Sequence, residues 1–313
     1  MSSATTKFAV NPGIDMVPHC NTVLNAKARR RYLSHYTTTL TLKWVLSGSA
    51  RYATGRSIYA VDPGCCLLLN HGQTYDLDIL PDTGTETLAL FFEPRFVEEA
   101  AGAAMTTEGR LLDDPEVAPQ GDEPYIERLY PVSGPIGATL RRIAAALRAD
   151  PCGEGWLEDA FYRMAWALPT LNLQSRAEWT ALPARHASTQ RETYRRLVFA
   201  RDFAYSCYWE NLSVARIARV AYLSPFHFHR MFRRAFGVTP SHFVQSRRLD
   251  VARSLLQSTD RTVAEICHEV GFKSLGSFTT LYRGHFGVPP GRARAEAKAK
   301  FARSEKPPRR PRA

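Results

Sequence analysis

The sequence predicts a two-domain α+β protein, with a β-rich front half that ends in a helical hairpin and an all-α back half built on two helix-turn-helix units. Three observations lead there. Charge is split along the chain: the first 189 residues hold 17 basic and 21 acidic side chains, and the rest hold 24 and 9. A motif in the basic half repeats at an offset of 49 to 50 residues. Alternating apolar segments, punctuated by Gly and Pro, fill the stretch from Leu40 to Phe92. A mildly acidic front and a strongly basic back point to two domains with different partners.

Composition narrows the class. With 313 residues and 44% apolar content, the chain is globular and long enough for two ordinary domains. No apolar run reaches the roughly 18 residues that span a bilayer. The segment Met1 to Val10 is polar and lacks the apolar core of an export signal, so a cytoplasmic protein is expected. Cys20, Cys65, Cys66, Cys152, Cys207 and Cys267 show no framework spacing and are expected as reduced packing thiols.

In the front half, Leu40 to Leu46 alternates before the turn Ser47-Gly48-Ser49. Asp62-Pro63-Gly64 turns into the apolar run Cys65 to Leu69, and Asn70-His71-Gly72 turns into the alternating Tyr75 to Ile79. Thr87 to Phe92 is the last clear strand. Short strands with regular turns predict a sandwich or barrel over about residues 31–95. Adjacent strand side chains face opposite ways, so Cys65 and Cys66 point to different faces. Two helical stripes follow over about residues 136–172. One carries Ile136, Leu140, Ile143, Ala144 and Leu147; the other carries Trp156, Leu157, Ala160, Phe161, Met164, Ala165 and Leu168. The turn Asp150-Pro151-Cys152-Gly153 separates them, and the polar residues 174–190 read as a linker.

The back half carries the repeat. Val214-Ala215-Arg216-Ile217 matches Val263-Ala264-Glu265-Ile266, and Phe236-Gly237-Val238-Thr239-Pro240 matches Phe286-Gly287-Val288-Pro289-Pro290. Each copy reads as helix, turn, helix. Ser213 caps the first helix, and Ser224-Pro225 starts a second bearing Phe228, Met231, Phe232 and Ala235 inward. In the other copy Thr262 and Glu265 form a capping box, Gly271-Phe272 turns, and Ser274 caps a helix bearing Phe278, Leu281 and Tyr282. The outer face of the first second-helix carries Phe226, His227, His229, Arg230, Arg233 and Arg234, a donor-rich set suited to base edges and phosphates. A spacer without Gly or Pro, Ser241 to Leu256, spans roughly 24 Å as helix, which suits two recognition helices about one DNA turn, roughly 34 Å, apart. From Arg292 onward nine basic and two acidic residues with three prolines read as a basic tail, disordered over residues 296–313.

These motifs resemble the DNA-binding domain of the AraC/XylS family of bacterial transcription regulators. The resemblance runs through Leu212-Ser213, Ile217-Ala218, Leu223 to Phe228, Met231-Phe232, Phe236 to Pro240, Arg248-Leu249, Ala252, Ile266, Val270-Gly271-Phe272, Ser277-Phe278 and Phe286 to Pro290. It implies a DNA-binding domain over residues 191–295. By position, the base-reading face falls on Phe226, His229 and Arg230 in the first unit and on Leu275, Gly276, Ser277 and Thr280 in the second. Thr280 stands where an Arg is common in the family and Tyr222 where a Gly is. Hence the first helix is expected to carry most base specificity, while the second mostly grips phosphate through Lys273, Ser274 and Arg283; Ser224 is a further candidate DNA contact. The Pro-Gly, apolar run, His-Gly order is similar to the cupin-like barrel that serves as sensor in this family, so residues 1–173 are expected to sense a ligand and dimerise through the helical hairpin.

Cupin enzymes hold a metal with a His-x-His pair. Only His71 is present, with Gln73 in the second place, so no metal, no cofactor and no enzymatic activity is expected. Trp44, Tyr52, His71 and Tyr75 are the candidate ligand contacts. The whole is expected to be a small-molecule-responsive, homodimeric regulator that binds double-stranded promoter DNA and, as the resemblance implies, activates transcription with RNA polymerase. The alternatives are a cupin-type enzyme fused to a DNA-binding domain and a ligand-independent DNA binder.

Overall fold

The computed structural model describes residues 8–12, 19–55, 57–79, 84–107, 124–149, 155–184 and 186–304. The chain forms two compact units, Met1–Asp202 and Phe203–Ala313.

Among the described residues the first unit holds ten strands in two sheets. In chain order they are β1 (Phe8–Val10), β2 (Asn21–Ala28), β3 (Arg31–Thr37), β4 (Thr41–Ser47), β5 (Ala50–Thr54), β6 (Ser57–Val61), β7 (Cys65–Leu69), β8 (Thr74–Ile79), β9 (Thr85–Phe91) and β10 (Leu129–Pro131). Six make one sheet in the order β1-β2-β9-β4-β7-β10, and four make the other in the order β3-β8-β5-β6. Only β1 and β2 pair in parallel; the remaining described pairings are antiparallel.

Sequence pattern sets the faces. In β4, Leu42 and Trp44 join a core with Cys66, Leu68, Leu88 and Leu90, and Lys43 projects to the opposite side. All five residues of β7 are buried, because this strand is covered on both faces. In β8, Tyr75, Leu77 and Ile79 are buried while Asp76 and Asp78 are less so. The turn before β7 is closed by Asp62, whose carboxylate accepts from Gly64 N at 2.8 Å.

Helices α1 (Phe96–Thr107), α2 (Gly134–Ala146), α3 (Trp156–Ala167) and α4 (Pro169–Thr180) follow in this unit. Ile136, Leu140 and Ile143 of α2 and Ala160, Phe161, Met164 and Ala165 of α3 all lie in the core that covers the six-stranded sheet. The two stripes anticipated as a dimer hairpin are thus consumed within the chain. The second stripe does not run as one helix to Leu171: Pro169 takes the first position of a new helix, having no N–H to continue the old one. The turn at residues 150–153, with Cys152, lies outside the described residues, as does much of the N-terminal arm.

The linker expected at residues 174–190 is helical at both ends. Residues up to Thr180 belong to α4, and α5 (Ala187–Ser206) begins at Ala187. Glu178 of α4 pairs at 2.7 Å with Arg128, a guanidinium almost wholly buried ahead of β10, and the Tyr194 hydroxyl donates to the same carboxylate at 2.5 Å. A buried arginine needs such a partner, and that fixes a segment whose polarity had suggested solvent. The division between the two units falls inside α5, after Asp202.

After the end of α5 the described residues of the second unit form only helices: α6 (Val214–Val220), α7 (Pro225–Phe236), α8 (Pro240–Ser258), α9 (Val263–Glu269), α10 (Leu275–Phe286) and α11 (Pro290–Ser304). The stretch expected to be disordered from residue 296 is helical through Ser304, and 305–313 lie outside the described residues. Alternating alanines give it high helix propensity, and Arg292 pairs with Glu296 one turn on at 2.9 Å.

Candidate nucleic-acid interface

The first helix pair is built from local signals. Ser213 caps α6 by accepting from Arg216 N at 3.1 Å, and Ser224 caps α7 by accepting from His227 N at 3.4 Å. Pro225 occupies the first turn of α7, and Gly237 ends it in the left-handed region at φ 74°. Phe228, Met231, Phe232 and Ala235 are buried. The opposite face therefore meets solvent with Phe226, His229, Arg230, Arg233 and Arg234 exposed and His227 partly so. Phe226 is 78% exposed, and the Arg230 guanidinium lies 5.9 Å from its ring centre one turn along. Arg233 and Arg234 sit in the last turn, where the helix dipole favours cations.

The second pair repeats this plan. Thr262 and Glu265 form the anticipated capping box of α9, Ser274 caps α10 by accepting from Ser277 N, and Gly287 ends it at φ 77°. Phe278 and Tyr282 are buried, and Lys273, Ser274, Leu275, Gly276, Ser277, Thr280 and Arg283 are exposed. Leu281, expected inward, is also exposed, because the buried face of α10 turns on Phe278 and Tyr282. All the candidate DNA contacts thus lie on or beside two outward-facing second helices. Ser224 and Ser274 do so with hydroxyls already engaged as caps.

Arg248 of α8 ties the two pairs together. Its guanidinium donates to the carbonyls of Tyr208 and Glu210, both at 2.8 Å, and lies against the turn at Gly271. Partial burial lowers its pKa below the ordinary arginine value. Arg248 thus links the segment before α6 to the turn before α10. In the sequence Arg248 stands out only through the family resemblance, since Arg247 and Arg253 lie on the same helix.

In the first unit, the four candidate ligand contacts do not form one constellation. Tyr52 and Tyr75 come together, ring centres 5.8 Å apart. Trp44 lies on the other face of its sheet, donating its indole N–H to Pro63 O at 3.1 Å. His71 is exposed in its turn. Gln73 accepts from Asn70 N at 2.5 Å and donates to Glu127 at 2.6 Å, a hydrogen-bonding role. Among the described residues no three His, Cys, Asp or Glu side chains gather as a metal site. Cys66 faces the helices, and burial pushes its thiol up to about 12, which suits packing rather than nucleophilic chemistry. Among the described residues no helix is long and apolar enough to cross a membrane.

Comparison with known proteins matches both units. Residues 26–129 fit the family model described as an AraC-like ligand binding domain, and residues 217–296 fit that of a helix-turn-helix domain. A ligand-binding domain followed by a helix-turn-helix domain is the arrangement of a class of transcription regulators. Within that class the chain belongs to the AraC/XylS family. It is 31% identical over 83 residues to the probable transcriptional regulator LumQ of Photobacterium leiognathi, covering 26% of this chain and 34% of that one. It is 32% identical over 95 residues to the XylDLEGF operon transcriptional activator of Pseudomonas putida, covering 29% and 30%. The chain thus spans about a third of the length of these curated relatives. A solved AraC-type transcriptional regulator from Chromobacterium violaceum is 31% identical, covering 36% of this chain and 96% of that one with a TM-score of 0.32.

Proposed function

We propose that this protein is a sequence-specific DNA-binding transcription regulator, an activator whose promoter binding or activity is set by a small molecule in residues 1–173. The DNA-binding domain is residues 191–295. The observation that carries this reading is the pair of capped, outward-facing second helices, one of them with three exposed arginines and an exposed phenylalanine. Arg230 is placed to read a guanine edge with two hydrogen bonds, His229 to reach a neighbouring base, and Phe226 to meet a thymine methyl. Arg233 and Arg234 grip phosphate, as do Lys273, Ser274 and Arg283, while Leu275, Ser277 and Thr280 face bases with weaker chemistry. Effector and DNA are linked by a coupling free energy between the two domains. The protein performs no catalysis, works in the cytoplasm at the nucleoid and acts alongside RNA polymerase.

It is a homodimer in this reading. With the α2 and α3 stripes buried at home, a two-fold contact falls to the exposed Trp166 and Leu173.

The test is selection of binding sites from random duplexes by the full chain, followed by anisotropy titrations at several salt concentrations. A recovered consensus and a steep fall of affinity with salt are expected. Equal affinity for consensus and scrambled duplexes overturns the reading.

A further inference from the structure

Nothing in the sequence singles out Lys43, yet it is deeply buried in the first unit. It sits at the middle of β4, is 2% exposed and projects away from the helix-covered core of its sheet. Its Nζ lies 3.9 Å from the ring centre of Phe91 and 4.5 Å from that of Tyr75, and donates to the Tyr75 hydroxyl at 2.9 Å. Tyr75 in turn stands 5.7 Å from Tyr36 and 5.8 Å from Tyr52, ring centre to ring centre. The ammonium is therefore enclosed by rings from both sheets, with Leu24 and Ala89 beside them.

Among the described residues no carboxylate pairs with Lys43. Burial also raises the pKa of Tyr36, Tyr52 and Tyr75, so no neighbouring phenol ionises to serve as counter-ion. The same burial holds the Lys43 ammonium well below its usual pKa. An uncompensated buried charge is costly, and a well-packed apolar side chain of similar volume is normally as good or better for stability. Ring contacts offset only part of that cost. A lysine here asks for an anion from outside the chain.

We propose that Lys43 and the Tyr75 hydroxyl form the head of the effector site and receive the carboxylate of a small monocarboxylic acid whose apolar body lies against Phe91, Tyr36 and Tyr52. One cation and one hydroxyl match a single negative charge; a phosphate dianion would be left half neutralised. Four rings and two aliphatic side chains match an apolar body. Tyr36 and Leu24 are only partly buried and are the lining side chains that reach solvent, so the acid enters past them. Arg31, exposed on β3 and close enough to act on Tyr52 and Tyr75 through space, adds positive potential on the way in.

The inference rests on the reading of this unit as a ligand sensor, and its test separates the two. Thermal shift and calorimetry on the full chain are run with benzoate, phenylacetate, hexanoate and octanoate, each against its neutral amide, for the native protein and Lys43→Met. At least one acid is expected to bind and stabilise the native protein. Its amide, and the acid on Lys43→Met, should bind more weakly by about tenfold or more. Lys43→Met by itself should melt at the native temperature or above. The site is overturned if none of the acids binds, if acid and amide bind alike, if Lys43→Met keeps the acid, or if Lys43→Met melts well below the native protein, which would make the lysine structural. In any of those cases the sensor reading survives when a neutral metabolite stabilises the native chain and changes its DNA affinity, and fails when a broad metabolite set does neither.

Discussion

The two helix–turn–helix pairs share one skeleton and part company at their surfaces. Phe228, Phe232 and Phe236 stack in a ladder with ring centres 5.3 and 4.7 Å apart, and Phe278, Tyr282 and Phe286 repeat it at 5.7 and 4.7 Å. Both second helices have a serine cap and a left-handed glycine stop. The turns differ. The second uses Gly271 at φ 92°, where a Cβ would come within 2.7 Å of Trp209 O. The first uses Tyr222 at φ 55°, a non-glycine in the left-handed region with its ring 78% exposed. On the recognition face the first helix presents three arginines, while the second has Gly276, Thr280 and Gly284. A duplicated core can thus carry two different outward faces, because packing restrains only the inward positions.

Breaking the comparison at its turns should have the largest effect. Gly271→Val is expected to destabilise the second unit by about 3 kcal/mol, from left-handed backbone strain plus overpacking against Trp209 O. Denaturant unfolding measures it, and a loss as small as that of a surface substitution would show that the turn simply shifts. Next come the two faces. Arg230→Ala should weaken binding to the selected consensus by about 1–3 kcal/mol and relax preference at one base pair. Thr280→Ala should lose less; if it costs more sequence discrimination in the same titrations, the assignment of reading to α7 is reversed.

Tyr222→Gly gives the first turn the residue of the second. Release of strain should raise stability by about 1 kcal/mol even after the added chain entropy of glycine. An unchanged or lower melting temperature would mean that the exposed ring compensates for its backbone. The smallest effect is expected at Gly284, where a Cβ meets nothing within 4 Å. Gly284→Ala should stabilise α10 by about 0.5 kcal/mol, and with DNA affinity unchanged it would mark this glycine as idle rather than a close-approach point for phosphate.

Much of the DNA-binding half was legible in the sequence because its signals are local. Ser224, Pro225 and Gly237 act within one helix, and Thr262 with Glu265 within one turn. The candidate contacts on α7 and α10 follow from the same period that buries Phe228 and Phe278. The sensor half was less legible. Alternation in β4 separated Leu42 and Trp44 from Lys43, yet it left open which face packs on helices and which meets the second sheet. Trp44 looked like a ligand contact and joined the helix-covered core, while Lys43, on the polar side of the alternation, was enclosed.

What the sequence determined alone is therefore the family, the paired helices of the second unit, their caps and most of their outward faces, signals carried by residues near one another in the chain. What only the tertiary structure decided depends on groups far apart in the chain. Arg128 finds Glu178 fifty residues on and turns an apparent linker into helix. Arg248 reaches back to Tyr208 and links the segment before α6 to the turn before α10. Closing two sheets over Lys43 converts a polar strand position into a buried amine with no carboxylate partner among the described residues, since burial is a property of what covers a residue and not of the residue itself.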